Sequence, residues 1–209
     1  THPDTLTSRN QLAWAYVTVG SLKRGVPLCE ATLAQYKEVF GDTHPETLNS
    51  RDTLAYAYVT ARKLERAVPL CEVALAQRER VLGVTHPQTL ESYNTLAYAY
   101  RVAGDLERAI PLCELTLAQY ELIRGNTHPN TLNSRSNLAR AYLAAGDLER
   151  AIPLYQVTLA QYEQVLGHTH PDTLNAYANL AHARRTAQSV QQPSTAPSAT
   201  TPEQPYAAD

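Results

Sequence analysis

No apolar run in this chain approaches the ~20 residues that a membrane-spanning helix requires. No basic stripe appears either: the net charge is −2 and the isoelectric point is near 6.4, which argues against a nucleic-acid partner. The first residue, Thr1, lies inside a recurring motif with no signal peptide ahead of it, and methionine is absent throughout. The expectation is a piece of a longer protein, cytoplasmic in origin. Cysteine is scarce. Cys29, Cys71 and Cys113 stand one step of a repeat apart, and Tyr155 takes the fourth place. Equivalent positions in stacked helical repeats lie on the order of 10 Å apart, whereas a disulfide needs Cα atoms within ~7 Å. These cysteines are therefore expected as small buried apolar side chains with no disulfide among them.

What the chain has in abundance is itself. His-Pro recurs at His2-Pro3, His44-Pro45, His86-Pro87, His128-Pro129 and His170-Pro171, a fixed step of 42 residues. Laying Thr127–His168 over Thr85–Asn126 gives 27 identities in 42 without a gap. A period of ~20–50 residues marks a repeat architecture. The units are 1–42, 43–84, 85–126 and 127–168, followed by a terminal helix over 169–187. Residues 188–209 are rich in Pro, Ser, Thr, Ala and Gln, and their composition predicts a disordered tail.

Each unit reads as two helices. In the third, helix A begins near Pro87, since proline suits a first helical turn. Leu90, Leu96, Ala97 and Tyr100 recur in every full unit; Leu96 and Tyr100 are four apart and share a face, expected as core. Gly104 ends helix A. Asp105 caps helix B, with Asp147 and Ser21 as equivalents. The second unit has Arg62-Lys63 in place of Gly-Asp, so its turn is expected to be the weakest. Helix B spans about Leu106 to Ile123, with Leu106, Ile110, Cys113, Leu117 and Tyr120 as its buried stripe. Pro111 lies within it, as Pro27, Pro69 and Pro153 do in their units, and predicts a loosened or bent first turn. The fold class is all-α: four A/B pairs plus a terminal helix, nine helices in all. Arg184, where the other units carry tyrosine, gives the last helix a polar cap.

The order Leu96, Ala97, Tyr100, Gly104, Ala109, Cys113 resembles the tetratricopeptide repeat. The 42-residue step, the linker Gly83-Val84-Thr85-His86-Pro87 and the segment Ala109-Ile110-Pro111-Leu112 resemble its kinesin-light-chain type. Such arrays are also similar to those at the C-termini of actinobacterial NB-ARC (STAND-type) regulators. The resemblance extends from residue 1 to about 187. It implies a right-handed α-solenoid and a protein-binding role, and it brings no catalytic residues.

The five His-Pro histidines are spaced one repeat apart and should not converge on a metal, which needs four ligands for a closed zinc site. No Gly-rich phosphate loop and no nucleophile beside a base is present, so neither enzyme activity nor a cofactor is expected. The face of helix A opposite Leu96 is the better candidate. Its columns are Trp14, Tyr56, Tyr98, Arg140 and His182; Asn10, Asp52, Asn94, Ser136 and Ala178; and Val17, Val59, Arg101, Leu143 and Arg185. The resemblance implies that this face lines the concave surface. Rings flanked by amides suit an extended peptide; the same rings would equally serve as packing between neighbouring A helices. The partner-binding set is Asn10, Trp14, Val17, Asp52, Tyr56, Val59, Asn94, Tyr98, Arg101, Arg140 and Leu143. Chaperone-tail binders of this family use a Lys/Asn clamp. Here Asn10 and Trp14, then Asp52 and Tyr56, hold the matching places, so that ligand is not expected.

The leading reading is a protein–protein interaction module, the sensor or scaffold arm of a larger regulator. The alternatives are a structural self-assembly module and the accessory arm of an upstream STAND ATPase. A weak homodimer through the N-terminal end is also expected, because the flank of the first helix carries no polar cap.

Overall fold

The computed structural model describes residues 2–191. Among these residues every element is a helix: α1 Pro3–Thr18, α2 Leu22–Phe40, α3 Pro45–Thr60, α4 Leu64–Leu82, α5 Pro87–Ala103, α6 Leu106–Arg124, α7 Pro129–Ala144, α8 Leu148–Leu166 and α9 Pro171–Gln191. Odd helices are the A helices of the sequence and even helices the B helices. Each B helix packs between the A helix of its own unit and that of the next. Successive A helices also pack side by side, α1 on α3, α3 on α5 and α5 on α7, and so form one layer of the solenoid.

The start of each A helix explains the His-Pro column. The imidazole Nδ1 of His44, His86 and His128 accepts the backbone N–H two residues on, at 3.2, 3.2 and 3.1 Å. His2 and His170 do the same. The histidine is the N-cap and the proline the first helical residue, so the motif supplies the missing acceptor and fixes the first φ together. Accepting at Nδ1 leaves the ring proton on Nε2. No group of three or more His, Cys, Asp or Glu side chains converges among the described residues.

The B helices end at glycines that only glycine could occupy. Gly125 has φ 81° and ψ 170°, a region closed to residues with a Cβ. Helix α6 runs unbroken through Pro111, which lies on the exposed face. Its missing N–H leaves the carbonyl of exposed Glu107 to water.

Leu54, Leu96, Leu138 and Leu180 are 4–6% exposed, one leucine for each successive A helix. Leu12, in the same column on α1, is 48% exposed. Cys29, Cys71 and Cys113 are buried and free, and burial pushes their thiols up to about 11, 12 and 11. Tyr155, in their column, is buried too.

A latch repeats at each junction between units. Tyr58 on α3 donates its hydroxyl to Glu30 of the preceding B helix at 2.6 Å, and Tyr100 donates to Glu72 at 2.6 Å. Tyr142 donates to Glu114. An arginine of the following B helix covers each ring: Arg108 lies 4.1 Å from the centroid of Tyr100 and Arg150 4.2 Å from that of Tyr142. Burial, reinforced by Glu72, pushes the Tyr100 phenol up to about 12. At the last junction both partners change together, with Gln156 for glutamate and Arg184 for tyrosine.

Two expectations need correction. Ser21 makes no side-chain capping bond, unlike Asp105 and Asp147, which accept from the N–H of Arg108 and Arg150. Helix α9 continues to Gln191, past the expected end at Ala187, because Gln188–Gln191 contain nothing that stops a helix and the next proline is Pro193. The expected tail over 192–209 lies outside the described residues.

Candidate functional site

The aromatic column forms a stair along the A-helix layer. The rings of Trp14 and Tyr56 lie 5.0 Å apart and those of Tyr56 and Tyr98 5.8 Å apart. Trp14 remains 45% exposed, and Tyr56 and Tyr98 are half-buried. The rings pack on one another between neighbouring A helices and remain partly open to solvent. Burial, with Tyr56 alongside, raises the Tyr98 phenol.

Beyond Tyr98 the column turns basic. Arg101 lies 5.2 Å from the Tyr98 centroid, and Arg140 lines a cleft with Tyr56 and Tyr98. Burial lowers the pKa of Arg101, and the charge of Arg140 lowers it further. Among the described residues no carboxylate forms an ion pair with either arginine. The cleft holds about 450 Å3 and is completed by Glu91, Asn94, Thr95, Asn133 and Asn137. Its amides can meet a peptide backbone, since each offers a donor and an acceptor.

The other expected residues divide. Val17 and Val59 are each 1% exposed, inside the core, and do not line a groove. Their column passes close to the core-facing stripe, where valine packs and only the longer Arg101 reaches the rim. Leu143 packs partly against the second core cluster. Asn10 is half-buried with an unpartnered carbonyl oxygen. Asp52 pairs inward with Arg78 of α4 and is thereby withdrawn from a ligand. Asn133 and Asn137 escaped the sequence reading. Their columns, Asn49–Glu91–Asn133–Asn175 and Thr53–Thr95–Asn137–Asn179, were legible as a polar flank beside the rings.

Arg78 is the main departure from the repeat. Tyr36, Tyr120 and Tyr162 hold its place in the other units, and Asn10 and Asn94 hold that of Asp52 in the first and third. Arg78 is 2% exposed. It donates to Asp52, to Ser92 at 2.6 Å, to the Gln88 carbonyl at 3.2 Å and to Asn49 at 2.6 Å. Burial pushes the Asp52 carboxyl up against the opposing pull of Arg78, as expected for a desolvated pair.

A stack of helix pairs whose A helices form one layer is the architecture of a repeat scaffold of the general protein-interaction kind. Tetratricopeptide-repeat models match residues 5–46, 53–110 and 93–164, and the chain belongs to the tetratricopeptide repeat family. Its similarity is to kinesin-light-chain-like members. A putative kinesin light chain of Podosopora anserina with nearly identical TPR-like repeats is 32% identical, with 91% of this chain and 90% of that one covered and a TM-score of 0.74. A second structure of that protein gives 32% identity, the same coverage and a TM-score of 0.73. BtubC (BKLC) from P. vanneervenii shares the fold at 18% identity and a TM-score of 0.67, over 94% of this chain and 85% of that one. No curated protein sequence matches the chain. No helix among the described residues is long and apolar enough to cross a membrane.

Proposed function

We propose that the A-helix face binds an extended segment of a partner protein across α3, α5 and α7. The observation that carries this reading is the Trp14–Tyr56–Tyr98 stair ending at Arg101 and Arg140, two guanidinium groups that form no ion pair among the described residues. An apolar side chain of the partner lies against the rings, its backbone meets Asn94, Asn133 and Asn137, and an anionic group meets the arginines. In the wider reading the array is the cytoplasmic sensor or scaffold arm of a larger regulator. A reading frame around this segment without any switch or effector domain would contradict that part.

Random peptides displayed on phage and selected on the chain test the groove. Selected peptides should carry an apolar residue near an acidic one. Tyr98→Ala should weaken their binding by ~2 kcal/mol, about 30-fold, with far-UV helicity unchanged. Equal binding to the variant would place the site elsewhere, and an unfolded variant would make Tyr98 core. The same reading includes weak self-association through α1, where Leu12, Trp14 and Val19 stand exposed. Sedimentation over a concentration series should show a weak dimer; a monomer throughout would end that idea.

A further inference from the structure

We propose that the array is built to open at its second unit, at the turn between α3 and α4, before the equivalent turns of the third and fourth units yield. The first observation is Arg62. It has φ 58°, the single non-glycine residue with positive φ among the described residues, where Gly20, Gly104 and Gly146 make the equivalent turns. An L residue with a long side chain is disfavoured in that region. The second is Lys63, which offers the α4 N-terminus no side-chain acceptor. The aspartates in its place do more than cap. Asp105 also grips Arg108 at 2.5 Å and holds it over Tyr100. Without that tether Arg66 sits 5.8 Å from the Tyr58 ring, farther than Arg108 from Tyr100, although the Tyr58–Glu30 hydrogen bond is as short as its counterpart.

The third observation is a polar layer at the other end of the same helix pair. Among the described residues six buried side-chain atoms lack a hydrogen-bond partner, and five of them belong to Ser50, Arg51, Asp52, Arg78 and Thr89, in the first half of α3, the last turns of α4 and the start of α5, remote from the α3–α4 turn. The buried Asp52–Arg78 pair is in this group. Buried unpaired polar atoms are the ones that gain most from water when a segment opens. The turn and the missing cap adjoin one another at residues 62 and 63, and the polar layer lies at the far end of the same helix pair. The second unit thus carries at its turn what the third and fourth units avoid. Asp52 and Tyr56 ride on α3, so opening here moves one side of the aromatic stair against the other. That consequence rests on the groove reading; the opening itself does not.

Hydrogen exchange read by mass spectrometry on the unliganded chain tests the proposal. Residues 60–68 should exchange about tenfold or more faster than the equivalent segments 102–110 and 144–152. The double variant R62G/K63D restores the sequence of the third and fourth units and should bring the three segments within about threefold of one another. Segments that already agree within about twofold in the natural chain would overturn the proposal. So would a difference that survives R62G/K63D and the further change D52N/R78Y. No ligand enters the measurement, so its outcome is independent of whether the groove binds a peptide.

Discussion

Replacing Arg78 with alanine should lower the stability of the array by ~3–5 kcal/mol. The guanidinium is 2% exposed and holds Asp52, Asn49, Ser92 and the Gln88 carbonyl together. Its removal leaves the Asp52 carboxylate with only the Ser92 hydroxyl at 3.4 Å and takes a donor from Asn49, Ser92 and the Gln88 carbonyl. The companion variant D52N/R78Y installs the residues of the third unit, where Asn94 and Tyr120 hold the equivalent places. Tyr120 is 1% exposed, so the site accepts a tyrosine in this geometry. Exchanging a buried ion pair for well-packed neutral groups is often neutral or stabilising by ~1–4 kcal/mol. The double variant should therefore match or exceed the natural chain while the single variant falls far below it. Urea titration followed by circular dichroism reads both. A loss under about 1 kcal/mol for Arg78→Ala would mean that the pair is solvated. A double variant as weak as the single one would mean that the second unit depends on the charge itself.

Leu96→Ala should cost ~2–5 kcal/mol, the range for a leucine whose cavity cannot collapse. Leu96 is 4% exposed between α4, α5 and α6. The array contains its own control. Leu12 holds the same repeat position at 48% exposure, and Leu12→Ala should cost less than half as much. Similar losses at the two positions would show that helix propensity, common to both, outweighs burial.

The fold was legible because each unit says the same thing several times over. Gly104 and Gly146 end their A helices, Asp105 and Asp147 cap the next, and the leucine column faces inward as its spacing requires. The His-Pro column was placed at the linker, but its capping role needed geometry: His86 is an acceptor here only because the chain turns its Nδ1 onto the N–H of Gln88. The candidate groove was legible in part. Repeat columns located Trp14, Tyr56 and Tyr98, since rings that recur at one helical position must meet. They misplaced Val17 and Val59, because a helix face and a core stripe differ by one residue in angle, and side-chain length decides which one a position serves. The Asp52–Arg78 pair was written in the sequence as two simultaneous departures from the repeat. Each departure alone reads as variation; only their contact shows that they are one change.

The Glu–Tyr–Arg latch has a consequence for how such a gene can change length. The glutamate always comes from the unit before and the tyrosine from the unit after, so every unit carries a donor end and an acceptor end. Unequal crossing-over that duplicates residues 85–126 would bring Glu114 of one copy against Tyr100 of the next, a junction already matched on both sides. The same event copying the segment from α8 onward would bring Gln156 against Arg184, which holds neither half of the bond. Growth of the array by recombination is thus favoured in its middle and arrested at its α9 end.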